Sequence, residues 1–320
     1  MVHKRRGCRQ GLPGPEGLLL DTGFALGAAI AALLFVPALT GALGWLENRR
    51  SGESARQREL LGGNVACGLA RAFGDSVWTL WLTMLALPFG RVAARRSAAP
   101  RSAPSPTTAQ HNAPPLVVLV HGLYHNPAAW FVLRRRLARA GFAQVRTYAY
   151  ASFGQEFADI AAGLADLLLE AGREAPGGRV VLVGHSLGGL VIRAACADSR
   201  LASPAACTLA GVVTLGTPHR GSTLAGMFGI GRLARGLAPG GRIIAQVRAL
   251  PPCPCPALSL YSPTDGMVLP LSGALLDERE RQGGWSEKVL PPTSHVGLLY
   301  SGAAARETLA FLRKACAQRG

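Results

Sequence analysis

The sequence predicts an α/β fold, a mostly parallel sheet with helices on both faces, preceded by one or two transmembrane helices. Three observations carry this. Short continuous runs rich in branched apolar residues, such as Leu116–Val120 (LVVLV) and Arg179–Val183 (RVVLV), read as strands buried on both faces. Segments of helical periodicity separate them, and that alternation is the mark of parallel strands joined by crossover helices. Ahead of them all lies an uncharged run from Thr22 to Leu46, longer than the roughly 20 apolar residues that cross a bilayer.

Lys4, Arg5, Arg6 and Arg9 precede that first run and favour a cytoplasmic N-terminus. A cleaved signal peptide is the competing reading. Its apolar region would be shorter and would end in a small-x-small site, whereas this run leads into Trp45, Glu47 and Arg49. A second apolar stretch, Ser76 to Gly90, gives a second span over about 70–90 when extended upstream through Asp75 and Arg71, which lie four residues apart and are able to pair. The positive-inside bias favours a hairpin of two spans. The alternative for the second stretch is an amphipathic helix packed on the membrane or on the folded domain. Residues 1–95 are thus expected to form a membrane region. Residues 96–115 are Pro, Ala and Ser-rich and read as an extended linker, and 116–320 form the folded domain.

Within that domain the order of elements is as follows. After LVVLV comes a helix from about Pro127 to Ala140, a short strand over Gln144–Tyr150 and a long helix around Gln155–Ala171. RVVLV is followed by a helix over Leu187–Asp198 and a strand over Gly211–Leu215. Ala257–Tyr261 and Glu287–Leu290 are further strands, and a helix near Ala303–Ala317 closes the chain. In open sheets of this kind ligands bind at the carboxyl ends of the strands.

Composition limits the classes of function. The chain has 320 residues, of which 49% are hydrophobic and 16% charged, and its formal net charge is +16. No recognition helix, zinc finger or aromatic RNA-binding pattern accompanies that charge, so nucleic acid is not the expected partner. An anionic membrane surface is the simpler one, since basic residues flank the apolar segments. A GC-rich genome, which enriches Arg and Ala, accounts for the charge equally well. Seven cysteines (Cys8, Cys67, Cys196, Cys207, Cys253, Cys255 and Cys316) cannot all pair within one chain, and the Cys-Pro-Cys at 253–255 lacks redox or zinc spacing. They read as mostly free thiols.

The chemistry is concentrated at strand ends. Gly184-His185-Ser186-Leu187-Gly188, between the RVVLV strand and a helix, fits the Gly-x-Ser-x-Gly nucleophile elbow. A serine nucleophile needs a base and an acid to orient that base, in the chain order Ser, Asp or Glu, His. Asp265, just beyond the ALSLY strand, is the best-placed acid. Asp198 ends the elbow helix and is expected to point away, and Asp277 sits in a charged run that reads as a solvated face. Only His219 and His295 follow the serine, and His219 precedes Asp265, which breaks the order. His295 is therefore the expected base and His219 a structural or rim residue. The backbone N–H groups of Leu187, directly after the serine, and Leu123, behind the first strand, are the expected oxyanion donors. His121 is expected to be a hydrogen-bonded structural histidine.

Together His121-Gly122-Leu123, the elbow, Leu215-Gly216-Thr217-Pro218-His219-Arg220-Gly221, Asp265 and Ser294-His295-Val296-Gly297-Leu298 resemble bacterial lipases and esterases with the α/β-hydrolase fold. The Gly-Thr-Pro-His-Arg-Gly stretch resembles triacylglycerol lipases and inositol-deacylase-like hydrolases. The resemblance covers roughly residues 115 to 318. It implies ester hydrolysis through an acyl-enzyme with no cofactor, on a lipid or other acyl ester. Members of that family often carry two extra strands at the start of the sheet; here the linker abuts the first motif strand, so those strands are expected to be absent. The segment 222–250 lies where such lipases can carry a lid, and an ordinary connecting helix is the alternative. With the N-terminal spans, the protein would sit in a bacterial inner membrane. Its catalytic domain would be cytoplasmic if both segments cross and periplasmic if only one does. Acyl transfer with the same triad and a non-catalytic tethering module are the competing functions. Oligomeric state is left open by the sequence.

Overall fold

The computed structural model describes residues 15–90, 113–203 and 206–317, and in the first helix most side chains before residue 33 lie outside that description. The linker expected at 96–115 falls almost wholly outside the described residues.

Six strands form one sheet: β1 (Leu116–Val120), β2 (Val145–Tyr148), β3 (Arg179–His185), β4 (Thr208–Leu215), β5 (Ala257–Tyr261) and β6 (Trp285–Val289), in the order β2-β1-β3-β4-β5-β6. Every neighbouring pair is parallel. Among the described residues no strand precedes β1, and residues 91–112 lie outside the described residues.

Alternation along the strands divides the core. Leu116, Val118, Val120, Val180, Leu182 and Val212 face one side of the sheet, where α5 (Phe157–Glu174) and α6 (Leu187–Cys196) cover them. Val117, Leu119, Val181, Val183, Val213 and Leu215 face the other, under α4 (Phe131–Arg139) and α11 (Gly302–Ala317). Because both faces are covered, β1 is buried throughout, which is why it reads as an unbroken apolar run rather than an alternation.

Several boundaries differ from the sequence reading. The helix expected from Pro127 begins as a tight 3-10 turn, Pro127–Trp130, in which the Asn126 side chain accepts from the Ala128 N–H (2.9 Å), and only then becomes α4. Strand β6 starts at Trp285, two residues before Glu287, and β4 starts at Thr208. The segment 222–250 folds as three short helices, α7 (Thr223–Phe228), α8 (Gly231–Gly236) and α9 (Arg242–Ala249). The charged run at 277–282 is α10 (Glu278–Gln282), with Asp277 as its N-cap in a reciprocal capping box with Glu280.

The N-terminal region requires a correction. The run at 22–46 lies inside α1 (Pro15–Arg50), and the stretch at 70–90 lies mostly in α3 (Val65–Ala86), with α2 (Ser54–Leu60) between them. Among the described residues no helix is long and apolar enough to cross a membrane. Polar groups of α2 and α3, and Asn48 just beyond the first run, bond the folded domain. Asn48 accepts from the Leu271 N–H (2.7 Å), Gln57 donates to the Pro263 carbonyl (2.8 Å), and Thr83 bonds the Tyr300 hydroxyl (3.1 Å). Asp75, instead of serving Arg71, accepts from the backbone N–H of Ser294 at 2.8 Å and from its hydroxyl at 2.7 Å. Polar groups need partners when removed from water, and here the folded domain supplies them. α3 and the C-terminal end of α1 pack on the domain, which for the second stretch is the alternative that the sequence reading allowed. Both alternatives for the side of a membrane depended on counting crossings.

Candidate active site

The chain runs from β1 outward to β2, then returns across β1 to β3 and continues the other way through β4, β5 and β6. The reversal places a crevice at the carboxyl ends of β1 and β3, where open parallel sheets bind ligands. Leu123 follows β1 and Ser186 follows β3 at that crevice.

Ser186 links β3 to α6 with φ 54° and ψ −125°, a conformation that side chains other than glycine rarely adopt. Three contacts hold it. Its N–H donates to the Leu215 carbonyl (2.9 Å), and its carbonyl accepts from the Gly189 N–H (3.0 Å) and the Thr217 hydroxyl (3.0 Å). Gly122 makes room beside it: a Cβ at that position would lie 2.9 Å from the Ser186 Cβ. Leu187 begins α6, so its N–H is among the first-turn donors without a partner inside the helix. Leu123 lines the same cavity as Ser186.

Asp265 and His295 meet although 30 residues separate them. His295 Nδ1 is 2.7 Å from Asp265 Oδ2, and both side chains are buried. The other carboxylate oxygen accepts from the N–H groups of Met267 (2.8 Å) and Val268 (3.0 Å), which fixes the plane of the carboxylate. Gly216, at φ 54°, is required here. A Cβ there would fall 2.6 Å from Leu298 Cδ1 and 3.0 Å from Asp265 Oδ2. His295 lines the cavity that holds Ser186, a space of about 170 Å³ roofed by Leu224 and Phe228 of α7. The structure thus brings Ser186, His295 and Asp265 to one crevice with Leu123 and Leu187 beside them.

The remaining candidates go elsewhere. Asp198 accepts from the Arg200 backbone N–H (2.9 Å) and side chain, away from the crevice. His219 is fully buried between Arg193, 3.0 Å from its Nδ1, and the Ser259 hydroxyl, 3.1 Å from its Nε2. Burial and the two neighbouring guanidiniums of Arg193 and Arg220 push its ring well below the ordinary range, so it is a neutral structural residue. His121 stacks on Tyr150 and donates from Nδ1 to the Gly122 carbonyl (2.9 Å). Burial lowers its pKa to about 4.

Sequence reasoning missed three contributors. His185, inside the elbow, donates from Nε2 to the His295 carbonyl (3.0 Å) and so ties the His295 loop to the Ser186 turn. His125 lines the Ser186 cavity, its Nδ1 has no hydrogen-bond partner among the described residues, and burial with the neighbouring His121 and His295 lowers its pKa to about 4. Asp75 holds Ser294, whose hydroxyl in turn accepts from the Gly297 N–H (3.0 Å), so α3 braces the loop on both sides of His295. An acid within an otherwise apolar helix was the available signal for Asp75. The described cysteines, Cys67, Cys196, Cys207, Cys253, Cys255 and Cys316, are all free thiols.

A parallel α/β sheet with a serine on a strand-to-helix turn and a histidine–aspartate pair beside it defines a hydrolase architecture. Residues 117–292 match the Alpha/beta hydrolase family, and the chain belongs to that family. Among solved structures, lipase BlEst2 of Bacillus licheniformis in its mature form is 21% identical with a TM-score of 0.51, covering 68% of this chain and 96% of that one. Lipase B of Aspergillus fumigatus is 17% identical with a TM-score of 0.53, covering 67% and 59%. At such identities the likeness is one of fold. No curated protein sequence matches the chain.

Proposed function

We propose that this protein is a serine ester hydrolase that acts on lipid or other acyl esters through an acyl-enzyme intermediate. The observation that carries this reading is the convergence of Ser186, at its constrained turn, with a His295 whose Nδ1 is held 2.7 Å from Asp265. Asp265 fixes the ring so that Nδ1 carries the proton and Nε2 is free to act as base. His295 takes the Ser186 proton as the oxygen attacks the ester carbonyl. The charge that develops on the carbonyl oxygen is met by the N–H groups of Leu187 and Leu123. His295 then returns the proton to the departing alcohol, and a water activated in the same way releases the acid.

The reading also sets the enzyme against a lipid surface. On α3 and just beyond it, Trp78, Trp81, Met84, Leu85 and Phe89 are exposed, and so are Met227, Ile230 and Phe228, the last of which lines the cavity. Apolar groups displayed in such numbers mark an interaction surface, and with a net charge of +16 an anionic bilayer is the natural complement. Hydrolysis of p-nitrophenyl esters tests the catalytic claim. Purified protein is expected to turn them over and Ser186→Ala to lose at least about a thousandfold in kcat. Equal turnover by the variant refutes the assignment. Sedimentation with vesicles tests the surface claim: binding to anionic vesicles should weaken in a Trp78→Ser, Trp81→Ser double variant.

A further inference from the structure

Two cavities meet at His295. The smaller, about 170 Å³, contains Ser186 and Leu123. The larger, about 470 Å³, lies between the N-terminal helices and the folded domain, with Val36, Gly41 and Trp45 of α1 and Ala72, Phe73 and Leu80 of α3 on one side of it. Met267, His295 and Val296 line both, so the two spaces adjoin at the expected base. We infer that the larger cavity takes a hydrocarbon chain on the alcohol side of the ester, so that the N-terminal helices select substrates with a long apolar leaving group. This inference rests on the hydrolase reading above.

Polarity argues for hydrocarbon. No Asp, Glu, Lys or Arg lines the larger cavity. Its principal polar groups are already engaged: the Thr40 hydroxyl with the Val36 carbonyl (3.0 Å), the Thr264 hydroxyl with the Thr293 carbonyl (3.3 Å), and Ser294 with Asp75. A phosphate or sugar would find little to bond there, whereas a chain of methylenes needs only to leave water.

Size points the same way. The space around Ser186 falls below the roughly 300–1,000 Å³ of ordinary ligand sites, and the larger cavity lies within that range. A substrate confined to the smaller space would be short, and the room for a long apolar group is on the other side of His295.

The chemistry fixes which part of the ester goes there. When the tetrahedral intermediate collapses, the bond between the carbonyl carbon and the alcohol oxygen breaks. The electron pair stays on that oxygen, and the proton taken from Ser186 passes to it from His295 Nε2. The leaving oxygen must therefore lie against His295, while the acyl carbon is bonded to Ser186. A cavity lined by His295 but not by Ser186 holds what is attached to the leaving oxygen. The acyl group remains in the cavity that Ser186 and Leu123 share.

The test uses the full chain and butyrate esters of alcohols from methyl to octyl, each kept below its micelle concentration. With the acyl group constant, kcat/KM is expected to rise about threefold to fourfold per methylene while the chain enters the cavity. Gly41→Leu fills that space: a Cβ at Gly41 meets nothing within 4 Å, and leucine favours the helix over glycine. It should cut the octyl-to-methyl ratio by at least about tenfold. Gly74→Leu puts the same bulk at an exposed, open position of α3 outside the cavity and should keep the wild-type ratio. Hydrolysis with no dependence on alcohol length, or an unchanged ratio in Gly41→Leu, overturns the inference and leaves the hydrolase reading standing. Failure to hydrolyse any of the esters overturns both.

Discussion

A residue such as Ser186, with φ 54° and ψ −125°, occupies backbone space where glycine is at home and where other side chains cost about 1–3 kcal/mol. The strain is tolerated because Leu215, Gly189 and Thr217 each hold one of its backbone groups. If so, Ser186→Gly should be more stable than Ser186→Ala by about 1 kcal/mol in chemical denaturation, although both lack the hydroxyl. Gly216 makes the opposite case. A methyl group there intrudes on Leu298 and on the Asp265 carboxylate at an unfavourable φ. Gly216→Ala is expected to lower kcat at least about a hundredfold while KM changes little, because the histidine–aspartate pair is displaced and the binding cavity is not. Ser186, Asp265 and His295 were legible in the sequence because the motif order leaves few candidates. Gly216 was quoted only as part of a motif. Its need for a missing Cβ depends on Leu298 and Asp265, which lie 82 and about 50 residues further on, and no local pattern conveys that.

The elements show where reading a sequence by hydrophobicity succeeds and where it stops. Strands β1 and β3 stand out because both their faces are buried, so Leu116–Val120 and Val180–Val183 are unbroken apolar runs. Strand β6 begins with Trp285 and Ser286 and alternates buried with exposed at the sheet edge, and its first two residues carry no such run. Helices α1 and α3 posed a different difficulty. An apolar helix packed on protein and one immersed in lipid have the same mean hydropathy, and the difference lies in a few polar residues. Asn48, Asp75 and Thr83 each bond a group of the folded domain. Asp75→Ala should therefore reduce kcat about tenfold or more with little change in KM, since it frees the Ser294 N–H and hydroxyl beside His295. Asp75→Asn, whose amide oxygen can still accept from the Ser294 N–H, should restore most of the loss. A purely structural role would instead lower the melting temperature in step with activity, and the two measurements together separate the cases.

At the scale of the whole molecule, the sheet carries histidines in and beside its strands that are buried and neutral. Burial lowers His121 to about 4 and pushes His185 and His219 well below the ordinary value near 6.5. A histidine whose folded pKa is depressed takes up its proton more readily when unfolded. Between about pH 6.5 and pH 4 the unfolded chain therefore binds more protons, and stability must fall as pH falls through that window. His121 alone should remove about 2 kcal/mol between pH 7 and pH 5. Urea denaturation at the two values measures the summed loss from all of these rings, which should exceed that of His121, and equal stability at both would mean that the rings are solvated. The buried Arg193–Glu280 ion pair belongs to the same scale, since it joins α6 to α10 and holds His219 in place. Nothing in the charged run at 277–282 distinguished Glu280, which is buried, from its solvated neighbours.

The most direct measurement is labelling by a fluorophosphonate probe, which reacts with an activated serine hydroxyl and not with an ordinary one. Purified wild-type protein, Ser186→Ala and His295→Ala would be compared, with circular dichroism to establish that each is folded. Labelling of the wild type that disappears in Ser186→Ala and falls sharply in His295→Ala is the expected result. A folded wild-type protein that does not react, or one whose labelling survives in Ser186→Ala, would contradict the assignment of Ser186 as the nucleophile.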